Sequence, residues 1–158
     1  MTQITKESTL GIDIGSKQSQ TIIERLAGFN EYWSSNAPDN WRVLDEVKIN
    51  GGSADVAYEQ CLEFIDGNAD LAGLIGLNNG STVGLVKGLV ERERKDIALV
   101  GFDYSNEIAS LIEDGEYSVS TMVQLQYNMG YGGVTEAINI CNGIKPKYKF
   151  NNTGISKV

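Results

Sequence analysis

Histidine is missing from this chain altogether. Its absence removes Ser-His and Cys-His nucleophile pairs, histidine-ligated zinc and the commonest general base. Cysteine is scarce. Cys61 and Cys141 lie far apart, each within helical pattern, so two buried free thiols are expected rather than a disulfide or a metal site. Two such thiols do not fix the compartment. Basic residues are outnumbered, 13 Lys+Arg against 21 Asp+Glu for a formal net charge of −8, and no run of five like charges occurs. Phosphate contacts need a clustered Lys/Arg surface, so nucleic acid is excluded as a ligand of this chain. The one basic cluster, Lys145, Lys147 and Lys149, reads as a solvated tail. No apolar stretch approaches the roughly 20 residues of a membrane span. Residues 1–8 are polar, lack a signal-peptide core and are expected to be a disordered or cloning-derived N-terminus.

What is present is an ordinary globular composition, 158 residues with 41% hydrophobic and 22% charged, enough for one domain with a real core. The organising stretch is 71–124. Leu71 to Leu77 is an apolar run ending in Asn78-Asn79-Gly80-Ser81, and Ile97 to Phe102 is a second run ending on Asp103. Ser81 to Arg94, between them, has helical spacing. Two buried strands joined by a helix make a parallel unit. Ligands of open parallel sheets sit just beyond the carboxyl ends of the strands. Asn78 and Asp103 stand at two such ends, which predicts a polar site there.

The rest of the chain continues the alternation. Thr9 to Ile14 reads as the first strand, followed by a helix to about Trp33, capped by Ser16 or Ser19, with Ile22, Leu26, Phe29 and Trp33 on one face. Trp41 to Ile49 reads as the second strand, with Asn50-Gly51-Gly52 as the loop beyond it. Ser53 caps a helix that buries Ala57, Cys61, Phe64 and Ile65. Ser105 caps a short helix that Gly115 ends. Tyr117 to Gln124 reads as a fifth strand. Tyr127 to Cys141 reads as a last helix, with Gly130, Val134, Ala137, Ile138 and Cys141 on one face, before an extended tail. Right-handed crossovers make this a doubly wound parallel α/β sheet, Rossmann-like, of about five strands with helices on both faces.

Several stretches, taken in order, resemble one family: Arg25 before Gly28-Phe29; Asn78-Asn79-Gly80-Ser81-Thr82-Val83-Gly84; Asp96 to Asp103; Asp114-Gly115; Val123-Gln124; and Asn128-Met129-Gly130-Tyr131. The series, covering nearly all of 9–156, resembles the type I periplasmic sugar-binding proteins, closest to the ribose- and galactose-binding branch. Lactose-repressor-type regulators share that fold. The resemblance implies two lobes hinged around a sugar, of which 9–126 would be the C-terminal one. The first lobe, and the helix that would precede the first strand, are missing. Residues 127–158 would be the last helix and a tail crossing back to the other lobe. Without that partner, the 127–141 helix is expected to fold back or to form a homodimer with a second copy.

By position, the resemblance makes Arg25, Asn78, Asp103 and Gln124 ligand-binding residues. An Arg fork and a carboxylate each grip neighbouring hydroxyls, while Asn both donates and accepts. Where the ribose-binding pattern offers an aromatic face after the second strand, this chain has Gly51-Gly52, and Tyr104 is the substitute. The implied function is non-enzymatic sugar binding without a cofactor, serving an extracytoplasmic ABC-transporter or chemosensory protein that signals to a permease or sensor. The alternative is the effector lobe of a cytoplasmic regulator. Each residue also has a structural reading: Asn78 ending a strand on its own backbone, Asp103 capping the next helix, Arg25 pairing with Glu24. Leu10-Gly-Ile-Asp-Ile-Gly-Ser16 looks like the first phosphate loop of actin-like ATPases and sugar kinases, but that loop leads into a strand, whereas Lys17 to Trp33 has helical spacing.

Overall fold

A computed structural model describes residues 7–146 and 152–158. The first half runs β1 (Ser8–Ile14), α1 (Gln20–Asn36), β2 (Trp41–Val43), β3 (Lys48–Ile49), α2 (Ala54–Gly67) and β4 (Leu71–Gly76). The second half runs α3 (Asn79–Glu91), β5 (Ala98–Phe102), α4 (Asn106–Asp114), β6 (Val119–Gln124), α5 (Gln126–Cys141) and β7 (Ile155–Lys157). The sheet has seven strands in the order β2-β1-β4-β5-β6-β7, with β3 also paired to β1. All pairings are parallel except β6 with β7, which is antiparallel.

Three departures from the expected layout have local causes. The second strand is two. β2 pairs with Ser8 to Leu10 and β3 with Asp13 and Ile14, so residues 44–47 face the two residues Gly11 and Ile12 and loop out of the ladder. The sheet also starts at Ser8, whose N–H donates to Asn40 O at 3.0 Å, drawing into the buried edge a residue expected in the N-terminal tail. The tail after α5 returns as a strand, Ile155–Lys157, alongside β6. Two caps stand as read from sequence: the Ser53 and Ser105 side chains accept from Val56 N and Ile108 N. Ser19 sits at the N-cap of α1 without a side-chain cap bond. Gly115 ends α4 at φ +65, a left-handed turn that glycine enters without a Cβ penalty.

The core has two parts, one on each face of the sheet. α2, α3 and α4 cover one face with Phe64, Leu74, Leu85, Leu89, Leu99 and Ile108. On the other, α1 packs Ile22, Leu26 and Phe29 onto Ile12, Ile14 and Leu77. Gly80, Gly84 and Gly88 recur every fourth residue of α3. Residues at that spacing share one helix face. A Cβ on Gly84 would stand 2.4 Å from Ala54 O, and one on Gly88 2.6 Å from the Cys61 side chain. This glycine stripe lets α2 and α3 pack backbone to backbone.

Cys61 is buried, and burial pushes its thiol up to about 12, which leaves it inert. The expectation of a second buried thiol fails: Cys141 is exposed. The cause is α5 itself, which has no buried residue. Tyr127 is 80% exposed and Ile138 56%. Nor does the helix fold back onto the lobe as one expectation had it. β5 is similarly half-dressed, with Ala98 and Val100 open to solvent while Leu99 and Gly101 are buried. Of the basic tail, Lys145 is exposed, and Lys147 and Lys149 lie outside the described residues.

Candidate functional site

Crossover direction reverses between β1 and β4. The chain leaves β1 across the face covered by α1 and leaves β4 across the face covered by α3. A crevice opens at such a reversal, beyond the carboxyl ends of the strands. Gly15 and Asn78 meet there: a Cβ on Gly15 would lie 3.2 Å from Asn78 Nδ2. Asn78, Asp103 and Gln124 follow or end β4, β5 and β6, three neighbours in the sheet. Strands about 4.8 Å apart put these side chains along one edge.

Arg25 reaches the same edge from α1. Its guanidinium donates to Leu77 O at 2.9 Å and lies 4.3 Å over the Phe102 ring. The reading that paired it with Glu24 is replaced by this carbonyl and ring, which hold the guanidinium plane and leave further donors free. Glu24 accepts from Gln20 instead.

Asp103 is set by its backbone. Its φ is +69, a left-handed conformation uncommon outside glycine. Asp103 N donates to Met122 O at 2.9 Å, and Thr121 Oγ1 donates to Asp103 O at 2.7 Å. Gln124 Nε2 donates to Asp103 Oδ1 at 3.1 Å. The carboxylate is thus turned toward the sheet edge, and Ser105 caps α4 in its place. Thr82 joins the two central ends, its hydroxyl accepting from Phe102 N and donating to Asn78 O, each at 2.9 Å.

The structure therefore brings Arg25, Asn78, Asp103 and Gln124 to one edge, all half-buried, while Tyr104 is exposed beside them at 48%. The edge is open. A hollow lined by Lys17, Asp45, Val47, Lys48, Ile49 and Gln60 lies elsewhere, by β3, and includes none of the five.

Sequence reasoning missed a polar group directly beneath Asn78. Asn50 Nδ2 donates to Asp13 Oδ1 at 2.5 Å and to Ser81 Oγ at 2.7 Å. Ser81 Oγ in turn donates to Asn78 Oδ1. Asp13 and Ser81 are fully buried, Asn50 nearly so. The available signal was an aspartate at the inward end of an apolar strand, a position unusual for a charged residue. Among the described residues Asp13 Oδ2 has no hydrogen-bond partner. Burial raises the Asp13 carboxyl above its usual range, partly offset by Ser81, Asn50 and Lys48.

The sign of the resulting pH dependence follows. Below the ordinary value of 3.8 both folded and unfolded states hold the proton. As pH rises from there through the higher folded value, the unfolded chain ionises first and the native state loses stability. Asp13→Asn removes this titration. The melting temperature of Asp13→Asn relative to native is expected to climb between pH 4 and pH 7 in parallel thermal melts. A constant difference would mean that Asp13 titrates normally.

The family model described as periplasmic binding protein domain matches residues 1–145. The chain belongs to that family. Among solved structures, an Agrobacterium vitis ABC-transporter solute-binding protein with bound D-fucose aligns with TM-score 0.88 and 23% identity over 98% of this chain. A second from that organism, bound with α-D-tagatopyranose, gives 0.85 and 23% over 97%, and the arabinose-binding protein AraP of Geobacillus stearothermophilus 0.81 and 23% over 96%. At these identities the likeness shows the fold. This periplasmic-binding-protein domain spans about half the length of those chains: 52%, 50% and 54% respectively.

Proposed function

We propose that the chain is the C-terminal lobe of an extracytoplasmic sugar-binding protein and contributes one wall of the sugar cleft. The observation that carries this is the convergence of Arg25, Asn78, Asp103 and Gln124 on the edge beside the crossover reversal. Arg25 supplies donors and Asp103 acceptors. Two such groups along one edge suit a ring with hydroxyls on adjacent carbons. The exposed Tyr104 is the ring-stacking candidate. That solved relatives of this fold carry D-fucose and tagatopyranose supports the ligand class.

In this reading α5 leaves the sheet toward the other lobe before β7 returns alongside β6, and the exposed face of α5 receives that lobe, or a second copy where the first lobe is absent. Closure of two lobes on a sugar shifts an open–closed equilibrium, which a transport permease or a sensor then detects. No bond of the sugar is made or broken.

The test is titration calorimetry of the two-lobed protein with a monosaccharide panel that includes D-fucose, native against Arg25→Ala. Loss of hydrogen bonds to a charged group should cost about 1.5–3 kcal/mol of binding. No heat with any sugar in the panel, or an unchanged affinity in Arg25→Ala, would refute the assignment.

A further inference from the structure

Asn78 carries an amide whose two ends are chemically opposite, and which end faces a ligand decides what it selects. The bonds beneath it settle the direction step by step. Asn50 is 3% exposed. Its backbone N–H donates to Ile14 O at 2.9 Å, and its Oδ1 accepts from Gly52 N at 2.6 Å. With Oδ1 spent on its own loop, Nδ2 faces inward, and its two hydrogens go to Asp13 Oδ1 and Ser81 Oγ. Ser81 is fully buried. Its hydroxyl has one proton. Having accepted from Asn50, it donates that proton to Asn78 Oδ1.

The Asn78 carbonyl is thereby used, and its Nδ2 is left beside Gly80, 3.4 Å from where a Cβ there would stand. Asp13 starts this chain of donations. Its Oδ1 accepts from Asn50, and each later direction follows. Gly80 keeps the parts in register, since a Cβ there would meet Gly52 O at 2.4 Å.

We infer that Asn50 and Ser81 are positioning residues that fix Asn78 as a pure hydrogen-bond donor at the crossover crevice, so that the ligand group facing it must be an acceptor oxygen. This rests on the reading of the edge as a sugar site and adds polarity to it. A ring or hydroxyl oxygen satisfies Asn78, whereas an ammonium in its place meets the Asn78 N–H donor and the Arg25 guanidinium. The domain therefore selects neutral or acidic sugars over amino sugars carrying their nitrogen at that position.

The direction of the amide can be tested without any ligand. In isotopically labelled protein, nuclear Overhauser contacts from the Asn78 Nδ2 protons to the Gly80 α-protons are expected in the native chain. They should fall by about half in Ser81→Ala, where the amide is free to take two orientations, and persist in Ser81→Thr, which keeps the hydroxyl. Unchanged contacts in Ser81→Ala would overturn the inference, whatever the protein binds. In calorimetry with D-fucose, Ser81→Ala should bind about ten-fold more weakly and Ser81→Thr close to native, the scale of one lost hydrogen bond. If native protein binds D-fucose and Ser81→Ala binds it equally well, the positioning role fails while the sugar reading stands. If native protein binds no sugar, the functional reading fails and the Overhauser contacts still decide the direction of Asn78.

Discussion

Gly84→Ala is expected to cost more than about 3 kcal/mol, enough to leave a domain of ordinary stability largely unfolded in mild denaturant. A Cβ at this position would lie 2.4 Å from Ala54 O, 2.4 Å from Ala57 Cβ and 2.6 Å from Tyr58 N. Two of those three are backbone atoms of α2, so no rotamer change relieves the clash. The helices must separate, and α3 is the most deeply buried helix of the fold, with Leu85 and Leu89 fully enclosed. Separation would open voids along both residues, and voids carry their own cost. Urea melts followed by circular dichroism measure this directly. Gly130→Ala is the contrast, because nothing lies within 4 Å of a Cβ there. That change should stabilise α5 by about 0.5–1 kcal/mol through helix propensity alone. If Gly84→Ala and Gly130→Ala melt alike, α2 and α3 are not packed backbone to backbone.

Asp103 is expected to show the largest loss in binding, on the order of 100-fold, when its charge is removed as Asp103→Asn. Hydrogen bonds to an ionised acceptor are roughly twice as strong as neutral ones. The choice of replacement matters because the backbone at Asp103 is left-handed, at φ +69. Asparagine tolerates that conformation as aspartate does, whereas alanine there adds about 1–2 kcal/mol of backbone cost. Asp103→Asn should therefore melt near native while binding weakly. Asp103→Gly should melt at or above native with binding equally impaired, since glycine relieves the left-handed turn. Binding by calorimetry and stability by thermal melt thus separate what the residue does for the ligand from what it does for the fold. A destabilised Asp103→Asn with unchanged affinity would place Asp103 in the scaffold instead. Backbone strain at a residue that faces a cleft is the pattern of function held against stability.

Most of the sheet was legible in the sequence because its strands are short apolar runs closed by abrupt polar groups. Leu71–Gly76 ends just before Asn78, and Ala98–Phe102 directly before Asp103. Once strands are placed, the rule about their carboxyl ends places Asn78 and Asp103 without further information, while Gln124 was named through the family resemblance. Arg25 was legible only through family resemblance, because nothing in helical spacing says that it reaches Leu77 O across the sheet edge. The Asp13–Asn50–Ser81 group was not legible. Its members lie in three separate elements and meet only through pairings of β1 with β3 and β4. The break of the second strand into β2 and β3 escaped notice for a related reason. Leu44 and Val47 keep the stretch partly apolar, and only the register against β1 exposes the two extra residues. Cys141 was misjudged because periodicity shows that a face exists, not whether anything in the same chain covers it.

The bareness of α5 also sets the tempo of motion in the domain. A helix of 16 residues with Gly130, Gly132 and Gly133 inside it and no buried residue is marginal by itself. Its amides are therefore expected to exchange with solvent by local fraying, on the timescale of a peptide. Amides of α3 should exchange only when the whole domain opens. A partner settling on α5 would have to offset the entropy of ordering it, and would then control that order as well as its position. In this domain the helix with no buried residue is the one whose folding a contact would complete.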